Sequence, residues 1–207
     1  MLITFEGIDG SGKSTQVQLL ANWLEQRGKK VVTFREPGGT VITEKIRSIL
    51  LTKDTEELSS KAELLLFLAA RNHLITTQIR PLLEKGTVVI LDRFSDSTIA
   101  YQGYGRGLNL KEIQLLLDFS TDLLRPYVTF YIDMCFTDTV KRLSSNSMKL
   151  DRFESLGESF YEKVRNGYLE LQQQNPERIK MISGLETIER IHSFVTKQLL
   201  DKFSSLL

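Results

Sequence analysis

Gly7, Gly12, Lys13 and Ser14 stand in the spacing GxxxxGK[ST], a pattern that binds the phosphates of a nucleoside triphosphate. Three residue types divide the work. Backbone N–H groups of a glycine-rich turn cradle the anion, a Lys reaches the β- and γ-phosphates, and a hydroxyl ligates Mg²⁺. The stretch Gly7, Ile8, Asp9, Gly10, Ser11, Gly12, Lys13, Ser14 and Thr15 is therefore the expected ATP-binding loop. A chance match is expected in about one chain in a hundred of this length. Here the motif also follows an apolar strand-like run and opens a helix-like stripe of Val17, Leu20, Ala21 and Leu24, which is the context the mechanism needs.

A metal held at such a loop needs a second oxygen donor. The run VVILDRF puts Asp92 after four apolar residues, at the carboxyl end of a strand where a ligand crevice opens. Asp92 is thus a candidate to hold Mg²⁺ with Ser14, with capping of the next helix as the alternative. Arg93 follows at once, and a guanidinium beside phosphates can brace several oxygens. Arg35, Arg47, Arg71, Arg93 and Arg106 fall near the loop end of the elements, which suits an acceptor that is itself a phosphate. Phe67 and Arg71, four apart, can set an aromatic face beside a forked donor, as a planar base would require; spacing alone slightly favours a core Phe with an exposed Arg.

The elements that must carry these groups read as a parallel α/β fold. Apolar runs at 2–5, 31–34, 88–91, 128–132 and 179–182 alternate with helix-period segments at 13–26, 40–51, 60–84, 110–124, 137–143, 158–174 and 185–207. That alternation predicts a five-stranded parallel sheet flanked by crossover helices, a P-loop NTPase-type architecture in one domain over 1–207. Pro81 should kink or divide the third helix. The glycines at 103, 105 and 107 read as a connection that is flexible or lets backbone approach closely, with a plain turn as the alternative, and the polar stretch 144–152 as a lid or a solvated loop.

Composition excludes several classes. The 207 residues carry a formal net charge of +1, which gives no electrostatic case for nucleic acid. The longest uncharged apolar run, 64–70, is too short to span a membrane, and MLITFEG has no secretory pattern, so a cytoplasmic location is expected. The single Cys135 lies in an apolar stretch and reads as a small buried side chain. Trp23 reads as packing on the first helix. A GTPase would show a DxxG switch and an [NT]KxD motif, but Asp92 is followed by Arg-Phe-Ser with no Gly at the third place, and Thr52-Lys53-Asp54 lacks the spacer. A small phosphotransferase is the class that remains.

The words FEGIDGSGKST at 5–15, REPGGT at 35–40, LLFLAARNHL at 65–74, LDRFSDSTIAYQGYGRG at 91–107 and LDRFE at 150–154 run almost end to end. In these the chain resembles bacterial thymidylate kinases, which pass the γ-phosphoryl of ATP to dTMP in dTTP biosynthesis. The resemblance implies that Asp9 approaches the deoxyribose 3′-OH, that Arg35 binds the acceptor phosphate and that Arg93 bridges both phosphates. It puts Phe67 on thymine, Arg71, Thr98 and Gln102 on its polar edge, and Tyr101 where a 2′-OH would stand. Arg47 and Glu36 are further substrate-site candidates. It also implies Mg²⁺ as cofactor and a homodimer.

The reaction needs no general base, because the attacking phosphate oxygen of dTMP is already ionised at pH 7; the obstacle is bringing two anions into line. Lys13, Arg93 and Arg35 would offset that repulsion. In relatives with Gly at the position of Gly10, lid arginines supply a cation the loop lacks. The expected lid at 143–152 offers Lys149 and Arg152, with Arg142 just before it. Arg142 or Lys149 is therefore assigned to the γ-phosphate, and Arg152 to pairing with Asp151 or Glu154. The alternatives are a P-loop kinase for another acceptor, such as dUMP or thymidine, and a non-catalytic ATP-binding regulator.

Overall fold

The computed structural model describes residues 1–52, 58–144 and 156–203. Strands β1 (Leu2–Glu6), β2 (Val31–Arg35), β3 (Val88–Asp92), β4 (Val128–Asp133) and β5 (Ile179–Ser183) form one sheet in the order β2-β3-β1-β4-β5, every pair parallel. The expected five-stranded parallel sheet is present.

Each strand runs one residue beyond its apolar run, and the added residue is polar: Glu6, Arg35, Asp92, Asp133 and Ser183. The register sets Arg35 opposite Asp92 and Asp133 opposite Ser183. One edge of an otherwise apolar sheet therefore carries the ionisable groups, at the carboxyl ends of the strands where α/β folds bind ligands. The order reverses around β1, so the loop after β1 opens between connections that run to opposite sides of the sheet.

The apolar residues alternate along each strand and are covered on both faces, as parallel sheets require. On one face Ile3, Phe5, Ile90 and Phe130 pack against Leu20 and Leu24 of α1 (Lys13–Glu25) and Val195 and Leu199 of α9 (Ile188–Phe203). On the other, Leu2, Val89 and Leu91 meet Leu74, Ile75 and Ile79. Each such side chain fully buried contributes about 1.5–3 kcal/mol. Trp23 packs against the first of these clusters and carries the Arg27 guanidinium over its ring at 3.8 Å, as the packing reading expects.

Helix α2 (Val41–Leu51) starts on a Thr40 cap that exchanges hydrogen bonds with Thr43. The segment 60–84 is helical throughout but divided: α3 (Ser60–Leu74), a wide π-helical turn Ile75–Ile79, and α4 (Arg80–Glu84). Pro81 has no N–H to give, and the chain adapts upstream, where the Arg80 N–H bonds the Ile75 carbonyl one residue further back than in an α-helix.

Three expectations are corrected. The glycine-rich stretch is neither a flexible connection nor a plain turn, and of its expected readings only close approach holds: α5 (Ser95–Thr98) continues as a π-helical turn Ile99–Gly105. Its glycines permit close packing, because a Cβ at Gly103 would stand 2.5 Å from Leu110 Cδ2 and one at Gly105 2.7 Å from Phe160 Cε2. The last helix begins at Ile188 and not at Leu185, because β5 is followed by a turn at Gly184. Cys135 is only half-buried, with its thiol 2.8 Å from Asp138 Oδ2 at the start of α7 (Phe136–Ser144). Helices α6 (Leu110–Thr121) and α8 (Glu158–Gln174) complete the layers. The lid expected at 143–152 lies outside the described residues from 145 onward, as do Lys149 and Arg152.

Candidate active site

β1 delivers the chain to the glycine-rich loop with no slack. Gly7 takes φ 142°, and a Cβ there would stand 2.6 Å from the Ile132 carbonyl oxygen, so only glycine fits this turn beside β4. The loop ends at Gly12, and α1 begins at Lys13 with no side-chain cap and no acidic residue in its first turn. Its first N–H groups are therefore left for an anion, which the helix dipole also favours. A cavity of about 820 Å³ opens there, lined by the loop, Arg35, Asp92, Arg93, Arg142 and Thr187.

Within it, Lys13 Nζ donates to the Ile8 carbonyl at 2.9 Å, and Ser14 Oγ donates to Asp92 Oδ2 at 2.7 Å. Burial lowers the Lys13 pKa, and neighbouring Arg93 pushes the same way against Asp92, Asp9 and Glu6. Arg142 donates to the Gly10 and Gly184 carbonyls at 3.3 and 2.9 Å, and so bridges the loop and the β5–α9 turn. Arg35 pairs with Glu44 at 3.4 Å and stays half-exposed on the cavity wall. Arg47 Nη1 donates to the Pro37 carbonyl at 3.0 Å.

A second, narrower pocket adjoins the first, and Asp9, Glu36, Arg47 and Arg93 line both. Arg93 is the hinge of this junction. Its backbone holds φ 73°, a left-handed conformation uncommon for a residue with a Cβ. Its Nη2 donates to Asp9 Oδ1 at 2.9 Å, and its guanidinium lies 5.0 Å over the Tyr101 ring. Burial pushes the Asp9 carboxyl up, but Arg93 and Lys13 overcome it and hold the pKa at about 2.

Beyond the junction the narrow pocket is lined by Pro37, Leu51, Phe67, Arg71, Thr98 and Gln102. The exposed-Arg reading of the Phe67/Arg71 pair is wrong. Arg71 is 2 % exposed, with Nε on Glu36 Oε2 at 2.6 Å, Nη1 on Thr98 Oγ1 at 2.8 Å and Nη2 on the Phe94 carbonyl at 2.9 Å. Burial raises the Glu36 pKa against the pull of Arg71. Glu36 thus holds Arg71 through Oε2 while its side chain lines both pockets. Arg106 is also misassigned to a phosphate, since it pairs with the buried Glu63 at 2.9 Å.

Sequence reasoning missed the network beneath Arg93. Glu6 is fully buried and accepts from the Phe94 N–H at 2.8 Å, Ser97 Oγ at 2.5 Å and Tyr168 Oη at 2.9 Å. Ser97 and Tyr168 in turn receive Arg93 Nη1 at 3.3 and 3.4 Å. Burial, with Asp96 nearby, raises Glu6 to about 7. The signal was available: Glu6 ends an apolar strand as Asp92 does, and a carboxylate there needs partners. Glu63, which holds Gln102 Nε2 at 2.9 Å, was missed for a different reason, since it reads as a first-turn acid of α3.

A cleft with free helix N–H groups, a Lys, a Ser–Asp oxygen pair and a junction arginine can bring two phosphates together. The adjoining pocket can hold a planar ring between Phe67 and a polar edge. Comparison with known proteins agrees. A family model described as Thymidylate kinase matches residues 5–195. A thymidylate kinase of Chlorobium luteolum is 47% identical over 211 residues, spanning 98% of each chain. One of Fervidobacterium nodosum is 45% identical over 197 residues, spanning 95% of this chain and 97% of that one. A crystal structure of thymidylate kinase from Ehrlichia chaffeensis superposes with a TM-score of 0.78 at 40% identity, covering 96% and 97% of the two chains.

Proposed function

The chain belongs to the thymidylate kinase family, an ATP-dependent nucleoside monophosphate kinase family, and we propose that it passes the γ-phosphoryl of ATP to dTMP across the Asp9–Arg93 junction. The observation that carries this reading is that two cavities, one lined by the glycine-rich loop, Lys13 and Arg35 and one lined by Phe67 with Arg71, Thr98 and Gln102, meet at Arg93.

ATP lies along residues 7–15 with its phosphates on the N–H groups of the loop and of α1. Lys13 turns from the Ile8 carbonyl to the β- and γ-oxygens. Ser14 Oγ and Asp92 Oδ2, 2.7 Å apart, are two hard oxygen donors that fit Mg²⁺, which would supply charge neutralisation at the phosphates. Arg35 and Arg47 hold the acceptor phosphate, Arg93 spans donor and acceptor, and Asp9 meets the sugar 3′-OH. Phe67, Arg71, Thr98 and Gln102 take the thymine, with Tyr101 against the sugar and Glu36 holding Arg71. Arg142 or Lys149 supplies the cation that Gly10 does not. If neither Arg142→Ala nor Lys149→Ala lowers turnover, that cation lies elsewhere.

A homodimer acting in the cytoplasm belongs to the same proposal. α3 and α6 pack side by side and leave Leu65, Leu115 and Phe119 exposed, an apolar face that a second copy would cover. Phe119→Asp should then yield monomer in sedimentation.

Coupled turnover with a panel of acceptors tests the activity. dTMP should be preferred with Mg²⁺ and ATP present. Appreciable phosphorylation of thymidine, a preference for CMP or AMP, or ATP binding without dTMP-dependent ADP formation would each overturn the reading.

A further inference from the structure

Helix α3 carries Glu63, Phe67 and Arg71 at intervals of four, so an acid, a ring and a cation share one helical face. Phe67 and Arg71 line the base pocket; Glu63 lies behind its wall, 0 % exposed. An ionisable side chain so deeply buried needs partners, and Glu63 has them on both oxygens. Oε1 accepts from Gln102 Nε2 at 2.9 Å and Arg106 Nε at 3.3 Å, while Oε2 accepts from Arg106 Nη2 at 2.9 Å.

That arrangement determines which way the Gln102 amide faces. Oε1 of Glu63 is engaged as an acceptor by the Arg106 fork, so the Gln102 group beside it must be the NH₂. The reverse flip would press one acceptor oxygen against another. Gln102 therefore turns its carbonyl Oε1 away from Glu63, as a wall group of the base pocket. The neighbouring groups are donors. Thr98 Oγ1 already accepts from Arg71 Nη1, which leaves its own proton to give, and three bonds of the Arg71 guanidinium leave two of its five N–H groups.

The pocket edge thus reads acceptor then donor. We propose that Glu63, through the Gln102 amide, is the positioning residue that selects bases with an N3–H donor beside an O4 acceptor and rejects cytosine. Cytosine carries an acceptor at N3 and a donor at N4, so both contacts would oppose like with like. A site built to bond one pattern leaves buried groups unpaired when offered the other, and this is where large discrimination comes from. Uracil shares the N3–H and O4 of thymine, so Glu63 does not separate dTMP from dUMP.

This inference rests on the proposed dTMP site, and the test separates the two. In the parent protein, kcat/KM is measured for dTMP, dUMP and dCMP; a parent that does not phosphorylate dTMP overturns the functional reading itself. With that established, Glu63→Gln lets two amides pair in either sense, so Gln102 is free to flip. The dTMP-to-dCMP ratio should fall about 10- to 100-fold, carried by KM, with the dTMP-to-dUMP ratio unchanged. Arg106→Ala removes the same ion pair while leaving Glu63 to orient Gln102, so its dTMP-to-dCMP ratio should stay near the parent value. Glu63→Asp keeps an acceptor facing the amide and should recover selectivity even if Glu63→Gln does not fold. An unchanged ratio in Glu63→Gln, or an equal loss in Arg106→Ala or in Glu63→Asp, overturns the proposal.

Discussion

The cations of the phosphate cleft and those of the base pocket are held in different ways. In the cleft, Lys13 donates to the Ile8 carbonyl, Arg47 to Pro37, and Arg142 to Gly10 and Gly184, while Arg35 meets the solvent-exposed carboxylate of Glu44 at 3.4 Å. On the base-pocket wall Arg71 is bound to Glu36 at 2.6 Å, and behind that wall Arg106 is bound to Glu63 at 2.9 Å, both carboxylates buried. A carbonyl dipole orients a cation without cancelling its charge; a buried carboxylate does both. The cleft keeps positive charge for anions that bring their own compensation, whereas a pocket for an uncharged ring must neutralise its donors beforehand. Arg93 stands between, with Asp9 on one nitrogen and the Ser97 and Tyr168 hydroxyls on the other.

The sharpest way to break this contrast is to remove one member from each side. Glu36→Ala strands Arg71, 2 % exposed, without its counter-charge, and loss of one partner from a buried pair costs about 3–5 kcal/mol. Urea unfolding should show that loss, and a change below about 1 kcal/mol would mean the pocket does not depend on internal neutralisation. Lys13→Ala should behave in the opposite manner. Its hydrogen bond goes to a carbonyl, and Asp9 keeps Arg93 when Lys13 is gone, so stability should stay within about 1 kcal/mol while turnover falls about 10²–10³-fold, or about 2.7–4 kcal/mol of transition-state stabilisation. Comparable losses of stability in both variants would erase the distinction.

The two regions also differed in how far the sequence revealed them. Residues 7–15 form a local pattern whose function follows from spacing along one turn, and Asp92 stands out as a charge ending an apolar strand. The sheet was legible for the same reason, since each strand is a contiguous apolar run. The base pocket depends on distant pairs: Glu36 with Arg71, and Glu63 with Gln102 and Arg106, lie 35 to 43 residues apart. Spacing alone favoured an exposed Arg71, because burial of an arginine depends on a carboxylate that only the fold brings near. Phe67, Arg71, Thr98 and Gln102 were named by family resemblance, which carries tertiary information that periodicity does not. The helix at 95–105 was hidden by its glycines, which serve close packing against Leu110 and Phe160.

A smaller effect is expected from the pocket wall itself. Gln102→Ala removes one contact to an uncharged edge, so dTMP affinity should fall by about 1–3 kcal/mol while ATP affinity stays near the parent value. Isothermal titration with each nucleotide separately reads the two, and unchanged dTMP affinity would take Gln102 out of the base site.

The finest test concerns pH, because two carboxylates bordering the glycine-rich loop are perturbed in opposite directions. Asp9, beneath Arg93 and Lys13, sits at about 2; the stability it contributes is present above its unfolded value of 3.8 and is lost as pH falls towards 2. Glu6 is raised from 4.5 to about 7 by burial and by Asp96, against the Ser97 and Phe94 hydrogen bonds and the Arg93 charge. Between those values the folded protein keeps a proton that the unfolded chain has released. Its contribution is therefore present below pH 4.5 and is lost as pH rises through about 7. The slope cannot exceed about 1.4 kcal/mol per pH unit for one group. Glu6→Gln abolishes the titration while keeping the shape that the Phe94 N–H, Ser97 and Tyr168 bind. The stability of the parent relative to Glu6→Gln, measured by urea unfolding from pH 4.5 to 7.5, should decline as pH rises. A flat difference would mean that Glu6 ionises normally, and the hydroxyls beneath Arg93 would then be held by a full negative charge, as Arg71 is in the base pocket.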